Sequence, residues 1–159
     1  MEKPKIHKRV GKKVKTNIME TTNNMAPAQQ LPTTRGLLKV LLLGVVTFGI
    51  YPIVVYSKIS SEINLVASKH DGLHTMHYCL VAFIFSWLTF GIVPIVWSHK
   101  ICARMGNELK RRGIAYNFGA ADFWLWGVLG ICILVGPYVW IHKFLKAMNL
   151  INADYNQKG

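Results

Sequence analysis

The chain has 159 residues, 52% of them apolar, and a net charge of +12 from 19 Lys and Arg against 7 Asp and Glu. That is room for about one domain, and a soluble basic domain would carry these totals if charged and apolar residues were interleaved. They are segregated instead, which excludes that class.

Residues 1–15 hold seven Lys or Arg and one Glu. The following "TTNNMAPAQQLPTT" is polar, Pro-containing and has little to bury. Residues 1–35 are therefore expected to form a basic, flexible N-terminal tail. It has no apolar run of the kind a cleavable signal peptide needs, so the first apolar stretch is expected to direct its own insertion. The Lys-rich tail suits anionic lipid better than nucleic acid, because no aromatic residues interleave with its charges.

Three nearly charge-free stretches come next: Gly36–Tyr56, Tyr78–Trp97 and Phe123–Ile141, of 21, 20 and 19 residues. A helix needs about 20 apolar residues to cross a ~30 Å hydrocarbon core. Only Lys39 interrupts the first, near an end where its stem can snorkel. Tyr56, Tyr78, Trp97, Trp124, Trp126, Tyr138 and Trp140 cluster toward the ends, as membrane interfaces favour. The expected fold is an all-α integral membrane protein, with a membrane domain over 36–157.

The stretches are copies of one unit. "TFGIYPIVVYSK" at 47–58 aligns with "TFGIVPIVWSHK" at 89–100, and "LVGPYVWIHK" at 134–143 supplies a third, degenerate copy. The period is 42–43 residues, with repeats over about 36–68, 78–113 and 122–157. Pro52, Pro94 and Pro137 recur near the end of each stretch. Inside a helix each would remove a hydrogen bond and kink the span.

Beyond each stretch the apolar pattern continues on one side only. Ile59, Ile63 and Val66 form one stripe; Ile101, Met105 and Leu109 a second; Phe144, Met148, Ile151 and Tyr155 a third. These helical spacings predict a short amphipathic surface helix after each span, the second stopped by Gly113. Lys100, Arg104, Lys110, Arg111 and Arg112 lie off the second stripe and are expected to contact lipid headgroups.

Two topologies fit. With three full spans, loop 57–77 nets zero charge and loop 98–122 holds five basic and two acidic residues. The positive-inside rule then puts the N-terminus in the cytoplasm, the first loop outside and the second inside. Alternatively, "TFGI" turns a shallow re-entrant hairpin and all three Lys ends share one face. The stretch lengths favour full spans.

The repeat resembles a bacterial membrane family designated domain of unknown function 4234. Its pattern is Thr-x-Gly-Ile-Tyr-x-x-Tyr-Trp-x-Tyr-Lys followed by an amphipathic stretch. Thr47, Gly49, Ile50, Tyr51 and Lys58 fit the first copy, and Thr89, Gly91, Ile92, Trp97 and Lys100 the second. The prolines depart from the pattern, as do Val93 in place of Tyr and Val55 in place of Trp. The resemblance spans roughly 36–155 and implies a bacterial cytoplasmic membrane setting. It implies no activity and no catalytic residues.

For chemistry the sharpest candidate is "KHDGLHTMHY", where His70, His74 and His77 would share a face on a helix and suit zinc or copper. Gly72 argues against a firm helix there. His99 and His142 precede the terminal Lys of their stretches and read mainly as headgroup anchors. Cys79, Cys102 and Cys132 form no CxxC pair, and no hydrolase, P-loop or dinucleotide motif occurs. The expectation is a non-enzymatic membrane scaffold or interaction module contacting anionic lipid, with no cofactor, as a homo-oligomer or with a membrane-protein partner. The alternatives are an oligomeric channel or transporter built on the prolines, and a metal sensor using His70, His74 and His77.

Overall fold

The computed structural model describes residues 29–159, so most of the basic tail lies outside the described residues. Among these residues the fold is all-helical, with no strand. The helices are α1 (Leu37–Val46), α2 (Ile50–Asp71), α3 (78–88, with a π-helical turn over Val81–Phe85), α4 (Ile92–Arg111), α5 (120–133, π-helical over Phe123–Val128 and 3-10 over Leu129–Ile133) and α6 (Gly136–Lys158). Each repeat is thus a helical hairpin: a short arm, a tight turn, then a long arm.

The three continuous spans expected from the stretch lengths do not form. No helix among the described residues is long and apolar enough to cross a membrane. The break falls inside the repeated phrase, at Thr47–Phe48–Gly49 and Thr89–Phe90–Gly91. Phe48 and Phe90 both have φ 50°, and Gly49 and Gly91 both have φ 87°. Gly49 N–H donates to the Gly44 carbonyl at 2.7 Å, and Phe48 N–H to that of Val45 at 3.2 Å. This paired pattern is a Schellman stop, and it ends α1 after ten residues.

The prolines are not kinks. Pro52 and Pro94 are the third residues of α2 and α4, and Pro137 the second of α6. In a first helical turn a missing N–H costs nothing, because that donor has no intrahelical partner. Thr47 completes the arrangement. Its hydroxyl donates to the Leu43 carbonyl at 2.6 Å and accepts the Tyr51 N–H at 2.9 Å. Thr89 does the same with Phe85 and Val93. Ile50 N–H finds the Thr47 carbonyl, so the amides of residues 47–51 are all bonded within the protein and residue 52 has none. The third repeat lacks Thr-Phe-Gly and closes differently. Gly130 and Gly136 touch backbone to backbone, since a Cβ on Gly136 would lie 2.3 Å from the Gly130 Cα.

The long arms α2, α4 and α6 run parallel and form the centre. Their apolar stripes share one core, in which the repeat-equivalent residues Ile59, Ile101 and Phe144, and likewise Ile63, Met105 and Met148, are all 0% exposed. The stripes were expected to lie on a membrane surface; they are the core instead, each side chain contributing about 1.5–3 kcal/mol by burial. The expected stop is close: α4 ends at Arg111 and Gly113 takes φ 68°.

Closure is cyclic. The segment entering each hairpin is held by the long arm of the preceding repeat, at one recurring position. Asn64 of α2 exchanges two hydrogen bonds with the Thr75 backbone, at 2.7 and 2.8 Å. Gly106 of α4 admits the backbone of Phe118, whose carbonyl would be 2.5 Å from a Cβ there. Asn149 of α6 brackets the Arg35 backbone, and Asn152 and Asn156 hold Pro32 and Leu31. Residues 31–35 are therefore not a loose tail. They are clamped, with Leu31 6% exposed and Arg35 paired with Glu62.

Candidate membrane interface

The parallel long arms put all three hairpin tips at one end. Register supports this: Glu62 meets Asn152, Asn64 meets Arg104, and Arg112 meets Asp154 across the bundle. At the tips stand Phe48, 98% exposed, Phe90, 97%, and Leu134, 78%. All three have positive φ, Leu134 at 58°. This left-handed position usually takes Gly or Asn, and other residues there cost about 1–2 kcal/mol. A large apolar side chain is thus kept, strained and exposed, at each tip.

The walls below the tips are also apolar. Leu42 and Val45 on α1, Phe83 and Trp87 on α3, and Leu129 and Ile133 on α5 are all more than half exposed. No Asp, Glu, Lys or Arg occurs between Lys39 and Lys58, between Asp71 and Lys100, or between Asp122 and Lys143. Lys58 lies ten residues from Phe48, Lys100 ten from Phe90, and Lys143 nine from Leu134. At ~1.5 Å rise per residue the charge-free end is about 15 Å deep, half of a ~30 Å hydrocarbon core.

The opposite end is polar and tightly paired, and it reassigns part of the expected headgroup set. Arg104 is 6% exposed. It donates to both Asp71 carboxylate oxygens, to Asn64 and Thr75 side-chain oxygens, to the Ser68 hydroxyl and to the Leu73 carbonyl. It pins loop 72–77 rather than meeting headgroups. The Arg112 side chain is 4% exposed and bridges Glu108 and Asp154. Arg111 pairs with Glu108 but keeps 40% exposure. Lys100 and Lys110 are exposed.

These ion pairs set a pH dependence. Burial alone would raise the Asp71, Glu108 and Asp154 carboxyls, but hydrogen bonds and charge from Arg104, from Arg111 and Arg112, and from Lys158 and Arg112 outweigh it. All three titrate below their ordinary values. A depressed folded pKa contributes stability that is present above the unfolded value and lost as pH falls through the folded one. The melting temperature is therefore expected to hold between about pH 5 and 7 and to fall below about pH 4.

The imidazoles do not converge. α2 ends at Asp71 with Gly72 at φ 65°, which takes His74 and His77 off the helix. His74 Nε2 lies 3.3 Å from the Asn64 amide nitrogen, and His77 Nε2 3.3 Å from the Ser61 hydroxyl. Among the described residues no three His, Cys, Asp or Glu side chains are placed to hold a metal ion. His99 Nδ1 accepts the Trp124 indole N–H at 3.0 Å. Cys79, Cys102 and Cys132 are free thiols.

Two grooves open beside the hairpins. The larger, of about 710 Å³, lies between loop 72–77 and α4, and Val81, Val93 and Val96 give way to His99 and Lys100 along it. The smaller, about 200 Å³, lies between residues 32–36 and α2.

Residues 35–107 match the family model described as Domain of unknown function (DUF4234). The match covers the first hairpin and the second as far as Asn107, and ends before the third. This part of the chain is similar to that family, whose description assigns no activity. Comparison with curated proteins and with solved structures finds no match.

Reasoning from the sequence missed the asparagines. Asn149, Asn152 and Asn156 stand three and four apart on one face of α6, and Asn64 occupies the repeat position of Asn149. Polar residues recurring at helical spacing beside an apolar stripe were the available signal.

Proposed function

We propose that the protein is a non-enzymatic membrane scaffold or interaction module that enters a bilayer from one side only. The three hairpin tips occupy one leaflet. The polar end of the bundle stays at the surface, free to meet a membrane-protein partner or a second copy. The observation that carries this reading is the charge-free end, about one leaflet deep by its helical rise and tipped by Phe48, Phe90 and Leu134.

A soluble protein rarely exposes a contiguous apolar patch beyond a few hundred Å², and lipid is the solvent that removes the penalty here. Lipid also demands that every backbone donor be satisfied internally. The first Thr-Phe-Gly-Ile-x-Pro turn meets that demand at its tip, through the Thr47 hydroxyl, the Schellman pair and Pro52, and the second bonds the amides of Thr89, Gly91, Ile92 and Val93 in the same way. The exposed Lys39, Lys58 and Lys100 mark the headgroup level, each worth about 1 kcal/mol of attraction to an anionic surface. The setting that fits is a cytoplasmic membrane, with these lysines on its cytoplasmic face.

Ile59, Ile101 and Phe144 are fully buried between the long arms, so in the channel reading a pathway would have to form between copies of the chain. Flotation tests the proposal. Detergent-purified protein, diluted into phosphatidylcholine vesicles, is expected to rise with them and to resist release by high salt. Protein that remains monodisperse in plain buffer and stays at the bottom of the gradient contradicts it.

A further inference from the structure

The two grooves are copies of each other. A shift of 42 residues carries Tyr51, Val54, Val55 and Lys58, which line the smaller, onto Val93, Val96, Trp97 and Lys100, which line the larger. In both, the extended segment entering the hairpin forms one bank and the long arm the other. An apolar wall on the tip side ends at a lysine on the polar side. The geometry points to a binding site for one anionic phospholipid in the larger groove, phosphate at Lys100 and an acyl chain along Val93 and Val96. This rests on the one-leaflet reading above, because that reading places the open side of the groove in lipid.

Charge favours an anion there. The two carboxylates at the groove, Asp71 and Glu108, are already answered by Arg104 and by Arg111 and Arg112. Lys100 has no carboxylate within ion-pair distance among the described residues, and Arg111 keeps 40% exposure. His99 accepts from Trp124 at Nδ1, which leaves Nε2 to carry its proton as a donor. The volume lies within the ~300–1,000 Å³ range of small-molecule sites. The smaller groove repeats the pattern with Lys39 and Lys58.

The third repeat differs at the equivalent positions. Lys143, the counterpart of Lys100, is tied to Asp122. The rings of Phe123 and Trp140 pack 5.5 Å apart in the corresponding space. Lys58 and Lys100, which line the two grooves, have no such carboxylate partner among the described residues.

The test is native mass spectrometry of the full chain, released from nanodiscs holding equal phosphatidylglycerol and phosphatidylcholine. The expected result is preferential retention of phosphatidylglycerol. Lys100→Gln should lower that preference about fivefold. Val96→Trp, which fills the groove, should abolish retention, and the exposed Lys110→Gln should change neither. Equal retention of the two lipids, or retention indifferent to both groove variants in protein that still floats, overturns the site and leaves the one-leaflet reading standing. Protein that does not float overturns both.

Discussion

Aspartate at Phe48 and Phe90 is expected to strip the protein from vesicles without unfolding it. The argument turns on what each phenylalanine touches. Both rings are at least 97% exposed, so replacing them removes almost no packing. Both backbones sit at φ 50°, where Asp is tolerated better than Phe. In water the double variant should therefore fold as well as the parent, or slightly better. In the proposed one-leaflet placement the tips lie near the midplane, where a carboxylate costs about 2.5–3.5 kcal/mol. Each substitution should lower vesicle partitioning about a hundredfold, and the pair about ten-thousandfold. Circular dichroism in detergent and vesicle flotation read the two effects separately. Unchanged flotation of a folded double variant would remove the tips from the membrane.

Arg104→Met is expected to do the reverse, leaving the tips intact while loosening the polar end. The substitution keeps bulk but deletes a buried charge that satisfies six oxygens from α2 and loop 72–77. Breaking one side of a buried ion pair costs about 3–5 kcal/mol. The lower end applies here, because the Asp71 side chain keeps 28% exposure and can rehydrate. Lysine should rescue little, since one ammonium cannot reproduce the planar fork. A control at exposed Lys110 should stay within about 0.5 kcal/mol. Denaturant unfolding in a fixed detergent measures all three.

The repeat and its apolar stripes are legible in the residues, whereas the hairpin turns, the role of the prolines and the burial of the stripes are not. The threefold period and the apolar stripes follow from spacing, but the stripes, expected at a membrane surface on short helices, lie in the core on long ones, with Ile59, Ile101 and Phe144 each 0% exposed. Length and hydropathy do not distinguish one 21-residue helix from a short arm followed by the start of a long one. What separates them is a turn whose decisive residue, Phe48 or Phe90, adopts a conformation that its type disfavours. A proline within an apolar stretch reads as a kink in a helix, whereas here it lies in the first turn of a new one. Of the expected headgroup residues, Lys100 and Lys110 are exposed while Arg104 and Arg112 turn inward. A basic run has no periodicity that reveals which members find carboxylates on another helix. The asparagine clamps depend on backbone from a different repeat, which local pattern cannot show.

The most direct measurement is sidedness. In a chain whose three native thiols are replaced by alanine, single cysteines at Lys58, Lys100 and Lys143, and at Phe48 and Phe90, are probed in sealed vesicles with a charged maleimide that cannot cross the bilayer. The hairpin account predicts that 58, 100 and 143 react from one and the same side, and that 48 and 90 are protected from both. Labelling of 58 and 100 from opposite sides, as complete spans would require, contradicts it.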